Sequence, residues 1–364
     1  MADIASLVRT LMDDGSVAAL AMNPQAQFGI APRRYIGAEL LPERRVEENA
    51  YREDAIRYRT VIANDGTRYS PSQKKSGEIV GSFLVELGNS DIAREFTARD
   101  YDALLRLLGS NLSMDAAVTL INWLDRTVNL ALAEKNELQR WQAIVDASVV
   151  RSGDNGYTET VTYSNPANHR AAAGGTWSSD AYDPFTDILA MADLLEGKGY
   201  TVGRILTSRT VLSILAGNDK VKARTGVATI NASGQISATA GRATRDAINM
   251  ALERDGLPPL ETYDLQYRTQ TGSGYFLSRA AFVLVATTGR DETIDRADSE
   301  DLPTINDTLG YLAMGRAAGQ ATPGRVLRMQ AYEDKPPRIE AEGWQTSLPV
   351  ITEPEAIAVI NTIS

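Results

Sequence analysis

The sequence predicts an α+β protein organised on one long helix, and three observations lead there. Apolar residues recur at helical spacing through Ala117, Leu120, Ile121, Leu124, Val128, Leu132, Leu138, Trp141, Val145 and Val149, with no Gly or Pro between Ser113 and Arg151. Beyond this stretch, helical and strand-like segments alternate. Before it, apolar residues follow no helical or strand period, until two segments alternate with period two.

The elements follow in order. Residues 1–50 read as an arm: a short amphipathic helix is expected over Ile4–Leu11, after which Gly15, Pro24, Gly29, Pro32 and Pro42 punctuate the chain. Phe28, Ile30, Tyr35, Ile36, Leu40 and Leu41 must still leave water, against the body of the same chain or against a neighbour. Residues 55–87 read as a long β-hairpin. Ile56, Tyr58, Thr60 and Ile62 alternate with Arg57, Arg59 and Val61, and Ile79, Gly81, Phe83, Val85 and Leu87 with the residues between them. The polar tip, containing Asp65-Gly66, Arg68, Pro71, Lys74, Lys75 and Gly77, is too long for a tight turn, so the hairpin is expected to project.

After a helical patch at Tyr101–Leu108, the spine helix is expected over 113–150, about 55 Å at 1.5 Å per residue. Ser113 is its expected N-cap, Asp115 places negative charge in the first turn, and Gly153 lies past its end. A strand is expected at Tyr157–Tyr163, then a loop from Asn165 to Asp183 that holds the sole His and Trp177. Asp183-Pro184 marks a helix start, an N-cap followed by Pro at the first helical position, and that helix stops at Gly197 or Gly199. Next come a strand at Tyr200–Thr207, a helix capped by Ser208 and running to Gly217, a small-residue loop from Gly226 to Gly241, and a helix over Arg242–Arg254. Strands are expected at Glu261–Tyr267, Tyr275–Leu277 and Phe282–Ala286. From Gly324 the tail reads as strands separated by Pro336-Pro337, Gly343, Pro349 and Pro354.

Composition removes several function classes. Of 364 residues, 47 are acidic and 37 basic, a net charge of −10, which disfavours sequence-specific nucleic-acid binding. The basic pairs Arg33-Arg34, Arg44-Arg45 and Lys74-Lys75 lack the interleaved aromatics of a single-strand binder. With no Cys there is no disulfide, thiolate nucleophile or thiolate metal site, and one His cannot build a two-His metal centre. No apolar run reaches transmembrane length, and the N-terminus lacks the basic and apolar segments of a signal peptide.

The catalytic motifs are fragments. Ser72-Gln73-Lys74-Lys75 matches a Ser-x-x-Lys signature without its companion motifs. Gly197-Lys198 lacks the rest of a phosphate loop, and Gly272-Ser273-Gly274 the third Gly and the helix of a dinucleotide site. Asp154-Asn155-Gly156 lacks the remaining ligands of a calcium loop. The carboxylate pairs, such as Glu47-Glu48 and Glu300-Asp301, are what this acidity supplies. No cofactor and no catalytic or metal-ligating residue is expected.

The order of arm, projecting hairpin, spine helix, α+β body and Pro-punctuated strand tail resembles the major capsid proteins of tailed bacteriophages. These have the Hong Kong 97-type fold, and the lambda-like major capsid protein E family is the nearest match. Ile36-Gly37-Ala38-Glu39-Leu40-Leu41-Pro42 with Val46 is similar to that family's apolar-Pro approach to the body. Gly343-Trp344-Gln345-Thr346-Ser347-Leu348-Pro349-Val350-Ile351, followed by Pro354-Glu355-Ala356-Ile357, looks like its closing strands. The resemblance implies an N-terminal arm (1–50), an extended loop (51–95) and a peripheral domain (96–182). It further implies an axial domain (183–300) and a return to the peripheral domain (301–364).

It also implies a coat protein without enzymatic activity that forms hexamers and pentamers and closes into an icosahedral shell around double-stranded DNA, assembled in the host bacterial cytoplasm. The implied partners are further copies of the chain, a separate scaffolding protein, a portal and possible decoration proteins; no membrane is involved. The expected intersubunit contacts are Arg57, Arg59, Arg68, Lys74 and Lys75. Some relatives form Lys–Asn cross-links from the extended loop, where Lys74 and Lys75 lie; the sequence alone does not assign them that chemistry. Two other readings stay open at this point, an encapsulin-like cargo shell and a hydrolase using two carboxylates in a deep cleft.

Overall fold

The computed structural model of the chain describes residues 3–22, 33–47, 50–57, 78–110, 113–153, 158–225, 228–230, 236–238, 241–269, 272–287 and 309–362. The elements begin with α1 (Ile4–Asp13), α2 (Ser16–Met22), α3 (Ile36–Leu40), β1 (Glu43–Arg45), β2 (Ala50–Arg57), β3 (Glu78–Glu86), β4 (Gly88–Phe96), α4 (Ala98–Gly109) and α5 (Ser113–Leu124). A π-helical turn, Asp125–Asn129, joins α5 to α6 (Leu130–Asp146). Next come β5 (Ser148–Ser152), β6 (Thr158–Thr162), β7 (Arg170–Ala172), α7 (Pro184–Glu196), β8 (Thr201–Thr207), α8 (Arg209–Gly217), α9 (Asp219–Arg224), β9 (Ala228–Ile230), β10 (Ile236–Ala238) and α10 (Arg245–Arg254). The remainder is β11 (Leu260–Thr262), β12 (Gln266–Arg268), β13 (Ser273–Tyr275), β14 (Ala281–Thr287), β15 (Gly310–Met314), β16 (Val326–Tyr332), β17 (Arg338–Ile351) and β18 (Ile357–Asn361).

The chain divides into two compact units. The first comprises Met1–Tyr51, Leu84–Arg140 and Tyr311–Val350. Its sheet runs β1-β15-β17-β16, and β4 also pairs with β17. β4 and β16 are both antiparallel to β17, so period-two alternation sorts their side chains. Leu327, Met329, Ile339 and Ala341 face the core, whereas Arg328 and Glu342 face water. The buried face meets Leu120, Leu124, Val128 and Leu132 of the long helix. Ile4, Val8, Leu11, Val17 and Leu20 of α1 and α2 join the same core. The expected Ile4–Leu11 helix is therefore present as α1, with α2 added. Of the two burial partners open to the N-terminal segment, these residues take their own body, so this stretch does not lack an internal core.

The long helix differs from expectation in two ways. A π turn interrupts it, and the buried series Ala116, Leu120, Leu124, Val128, Leu132 shows why. In an α-helix every fourth residue drifts about 40° around the axis. One wider π turn rewinds that drift and keeps the stripe on the core. The helix also ends at Asp146 instead of Val150. Ala147 takes a left-handed φ of 50°, and Val149-Val150, stiff and β-branched, pair with Val161-Thr160 in the β5–β6 ladder.

The second unit comprises Arg52–Phe83, Trp141–Gly310 and Ile351–Ser364, with a sheet ordered β11-β8-β14-β18-β7. The apolar run in β14 is central, antiparallel to both β8 and β18, and buried from Ala281 to Ala286. α7 and α8 begin where their caps predict. The Asp183 side chain accepts from Phe185 N at 3.0 Å, and Ser208 Oγ accepts from Val211 N at 3.2 Å. Other expectations shift. The single strand foreseen at Glu261–Tyr267 is two, β11 and β12, in different sheets. The strand foreseen at Tyr275–Leu277 is β13, earlier, and the helix foreseen from Arg242 starts at Arg245 behind a Thr244 cap. The small-residue loop carries the β9–β10 ladder, with Ile236 opposite Ile230. In the first unit, Gly343 and Pro349 lie inside the 14-residue strand β17 and do not separate strands.

Candidate functional site

The side chains with candidate chemistry hold the fold together. His169 is buried, and its Nδ1 lies 2.9 Å from the carbonyl oxygen of Ile357; that oxygen can only accept, so Nδ1 carries the proton. The His169 carbonyl accepts from Val359 N at 2.7 Å, at the start of the β7–β18 pairing. The ring thus anchors a strand. Gly272-Ser273-Gly274 leads into β13, antiparallel to β12. Among the described residues, no group of three or more His, Asp or Glu gathers as a metal site. A cleft in the first unit is lined by Glu43, Arg45, Gln320, Thr322 and Arg325 among others, with Glu43 its one carboxylate. That lining gives no support to a two-carboxylate hydrolase. Asp154-Asn155-Gly156 and Ser72-Gln73-Lys74-Lys75 lie outside the described residues.

Of the expected intersubunit residues, Arg57 closes β2, which pairs with β3 in a two-stranded sheet. Arg59, Arg68, Lys74 and Lys75 lie outside the described residues.

The most developed polar arrangement is buried in the first unit, and the sequence reading missed it. Asn129 Nδ2 donates to Asp125 Oδ1 at 2.7 Å across the π turn, and Arg325 Nη1 donates to Asn129 Oδ1 at 2.6 Å. Arg325 Nε donates to Gln345 Oε1 at 2.9 Å, and Gln345 Nε2 donates to Asn136 Oδ1 at 2.6 Å. Ser347 Oγ donates to the same Asn136 oxygen at 3.0 Å. Next to Asn136 on α6, Glu137 accepts from Gly37 N at 2.8 Å, and one turn beyond Asn136, Arg140 Nε donates to the Leu41 carbonyl at 2.9 Å. Glu43 Oε1 lies 3.7 Å from Arg140 Nη2 and 4.0 Å from Arg325 Nη2.

Burial raises the Asp125 carboxyl above the usual carboxylate range, opposed by the Asn129 hydrogen bond and Arg325. Burial likewise lowers the Arg325 guanidinium, opposed by Glu43. Such groups fix one register between elements, because leaving any one of them buried and unpaired costs several kcal/mol. Here they register α3, the long helix and β17. A signal was present in the sequence: Asp125, Asn129, Asn136 and Arg140 fall among the apolar positions of the helix instead of on a separate polar face.

In the second unit the loop after β7 is held at two points. Asp187 accepts from Trp177 Nε1 at 2.7 Å, Tyr182 Oη at 2.5 Å and Gly174 N at 3.1 Å. Asn218 Nδ2 donates to the carbonyls of Trp177, Ser179 and Tyr182 at 2.9–3.0 Å while its Oδ1 caps α9. Both arrangements are structural, and neither converges on an open reaction site.

Comparison with known proteins agrees with a structural chain. No curated protein sequence matches it. A candidate capsid protein of an Escherichia coli CFT073 prophage superposes with a TM-score of 0.56 at 14% identity, covering 99% of each chain. A phage-related protein of Bordetella bronchiseptica RB50 superposes with a TM-score of 0.52 at 14% identity, covering 95% of this chain and 96% of its own. At that identity the likeness establishes the fold, and it runs over almost the whole length. The sequence profile described as phage major capsid protein E matches residues 98–276, from the start of α4 to just past β13. Residues 98–276 therefore match the phage major capsid protein E family, on a Hong Kong 97-type capsid fold.

Proposed function

We propose that this phage capsid protein is a coat subunit that self-assembles into hexamers and pentamers and closes into an icosahedral shell around double-stranded DNA. The observation that carries this reading is the capsid family match over residues 98–276 within a capsid-type fold that spans the chain. The reading is structural and not catalytic, in keeping with a polar inventory spent on caps, strand anchors and a buried register. Residues 1–50 serve as the N-terminal arm, 51–95 as the extended loop reaching a neighbouring subunit, and 183–300 as the axial domain near the capsomer centre. Residues 96–182 and 301–364 make up the peripheral domain. A separate scaffolding protein and a portal are the further partners, and assembly takes place in the host cytoplasm.

Electron microscopy and sedimentation of the concentrated protein test the reading. Closed shells or five- and six-fold capsomers are expected, and a monodisperse monomer at high concentration would overturn it. The extended-loop assignment has its own test. Arg57→Glu with Arg59→Glu should leave circular dichroism unchanged while sedimentation moves from shells to small species. A rim charge contributes about 1 kcal/mol or less alone, but in a symmetric shell the change recurs at every equivalent contact. Normal shells from this variant would show that the loop is not an intersubunit clasp.

A further inference from the structure

Arg325 is only partly compensated within the buried register. Its side chain is 2% exposed, so its charge is almost fully removed from water. The two hydrogen bonds it makes, from Nη1 to Asn129 and from Nε to Gln345, end on neutral amide oxygens. Its third nitrogen, Nη2, has no hydrogen-bond partner among the described residues. The Glu43 carboxylate stands 4.0 Å from Nη2, beyond hydrogen-bond reach, and lies closer to Arg140 Nη2, at 3.7 Å. Glu43 is tied to that position by its strand, because β1 pairs in parallel with β15.

The cleft of the first unit gives a second, independent observation. Other buried polar atoms also lack a partner, such as Gln139 Oε1 and His169 Nε2, but those residues do not line the cleft, whereas Arg325 does. Glu43 forms part of the same wall, so the nitrogen of Arg325 that faces Glu43 turns toward the cleft. The cavity holds about 280 Å³, far more than one water needs. Arg45, two residues from Glu43 on β1, shares its strand face and lines the cleft as an exposed cation. Gln320 and Thr322 add an amide and a hydroxyl. Glu137 lies 3.6 Å from Arg140, so Arg45, Arg140 and Arg325 are set against the two carboxylates Glu43 and Glu137. One positive charge is left in excess, and guanidinium nitrogens can only donate, which excludes a cation as ligand. A water would satisfy Nη2 but bring no charge. An oxyanion supplies both the acceptor and the missing counter-charge.

We infer that this cleft is an oxyanion site, in which a phosphate or carboxylate group accepts from Arg325 Nη2 at the base and from Arg45 at the rim. The site lies within one unit of one chain, so it stands or falls apart from the shell reading. The experiment titrates inorganic phosphate into the unassembled full-length chain at constant ionic strength balanced by chloride. Phosphate is kept below about 10 mM to limit its general salting effect. Melting temperature is followed by circular dichroism, and a saturable rise is expected. Arg45→Gln removes an exposed cation and no buried contact. It should weaken the apparent affinity by about tenfold, the loss expected for one charge-assisted hydrogen bond. Arg9→Gln, which removes an exposed cation on α1, should leave the affinity unchanged. Acetate should compete with phosphate for the same seat. Absence of a rise with phosphate would overturn the inference, because water then suffices for Nη2. Equal weakening by Arg45→Gln and Arg9→Gln would also overturn it, as general attraction of anions to the surface. Radiolabelled phosphate sedimented with assembled particles separates the two sources of the group. Retention identifies a free anion, and loss on assembly identifies an acidic side chain of a neighbouring copy.

Discussion

Replacing Trp141 by Asp is expected to abolish soluble folding, not merely assembly. Trp141 is 1% exposed on α6, and its ring stacks on Tyr263 with centroids 5.2 Å apart and planes 26° from parallel. Removing a buried Trp side chain costs about 3–5 kcal/mol through lost contacts and the cavity left behind. An unpaired carboxylate in that space adds several kcal/mol more, or forces protonation. Together these approach the roughly 5–15 kcal/mol of net stability typical of a domain. Soluble yield and thermal unfolding followed by circular dichroism provide the check, with Trp141→Phe as the conservative comparison. Phe keeps a ring against Tyr263, so that variant should stay soluble with a lowered melting temperature. A Trp141→Asp protein that melts like the parent would show that the Trp141 environment is not the closed core described here.

Adding one methyl group at Gly343 is expected to be the most damaging small substitution in the first unit. Gly343 lies within β17, opposite Leu327 of β16 and Ile92 of β4, a position where Gly is otherwise unfavourable. The long helix explains its presence. A Cβ at Gly343 would come 2.4 Å from Val128 Cγ1 and 3.0 Å from both Leu132 Cδ1 and Leu327 Cδ2. Val128 sits in the π turn and is β-branched, so it has little freedom to move aside. Overpacking of this kind costs about 1–3 kcal/mol, occasionally more. Gly343→Ala should lower the melting temperature by several degrees, and Gly343→Val should aggregate on expression. Unchanged melting of Gly343→Ala would mean that the sheet and helix are farther apart than described.

Gly37 is related but differs in its neighbour. A Cβ there would meet the Glu137 carboxylate at 2.8 Å, against the group that accepts the Gly37 amide hydrogen bond. Both glycines permit a close backbone approach to the long helix, one from the sheet and one from α3.

Features that depend on local chemistry were legible along the chain. Periodicity located the long helix, Asp183-Pro184 and Ser208 fixed the starts of α7 and α8, and the continuous apolar run of β14 marked a buried strand. The order of elements carried the family resemblance, because that order is written along the chain. Tertiary structure decided what depends on residues far apart. Gly343 and Pro349 read locally as breaks, yet lie within one strand; at Gly343 both β4 and β16 pair with β17, and the helix needs room there. The end of the helix at Asp146 follows from the pairing of Val149-Val150 with a strand ten residues on, and Ala147 gives no local stop signal. The buried polar register depends on Arg325 and Gln345 reaching Asn129 and Asn136 across about two hundred residues of chain. The place of Asn129 and Asn136 among the apolar positions of the helix is the only local sign of them. Only the sheet and α3 packed around them make them interior, and a buried polar group must find a partner that no local window of sequence contains.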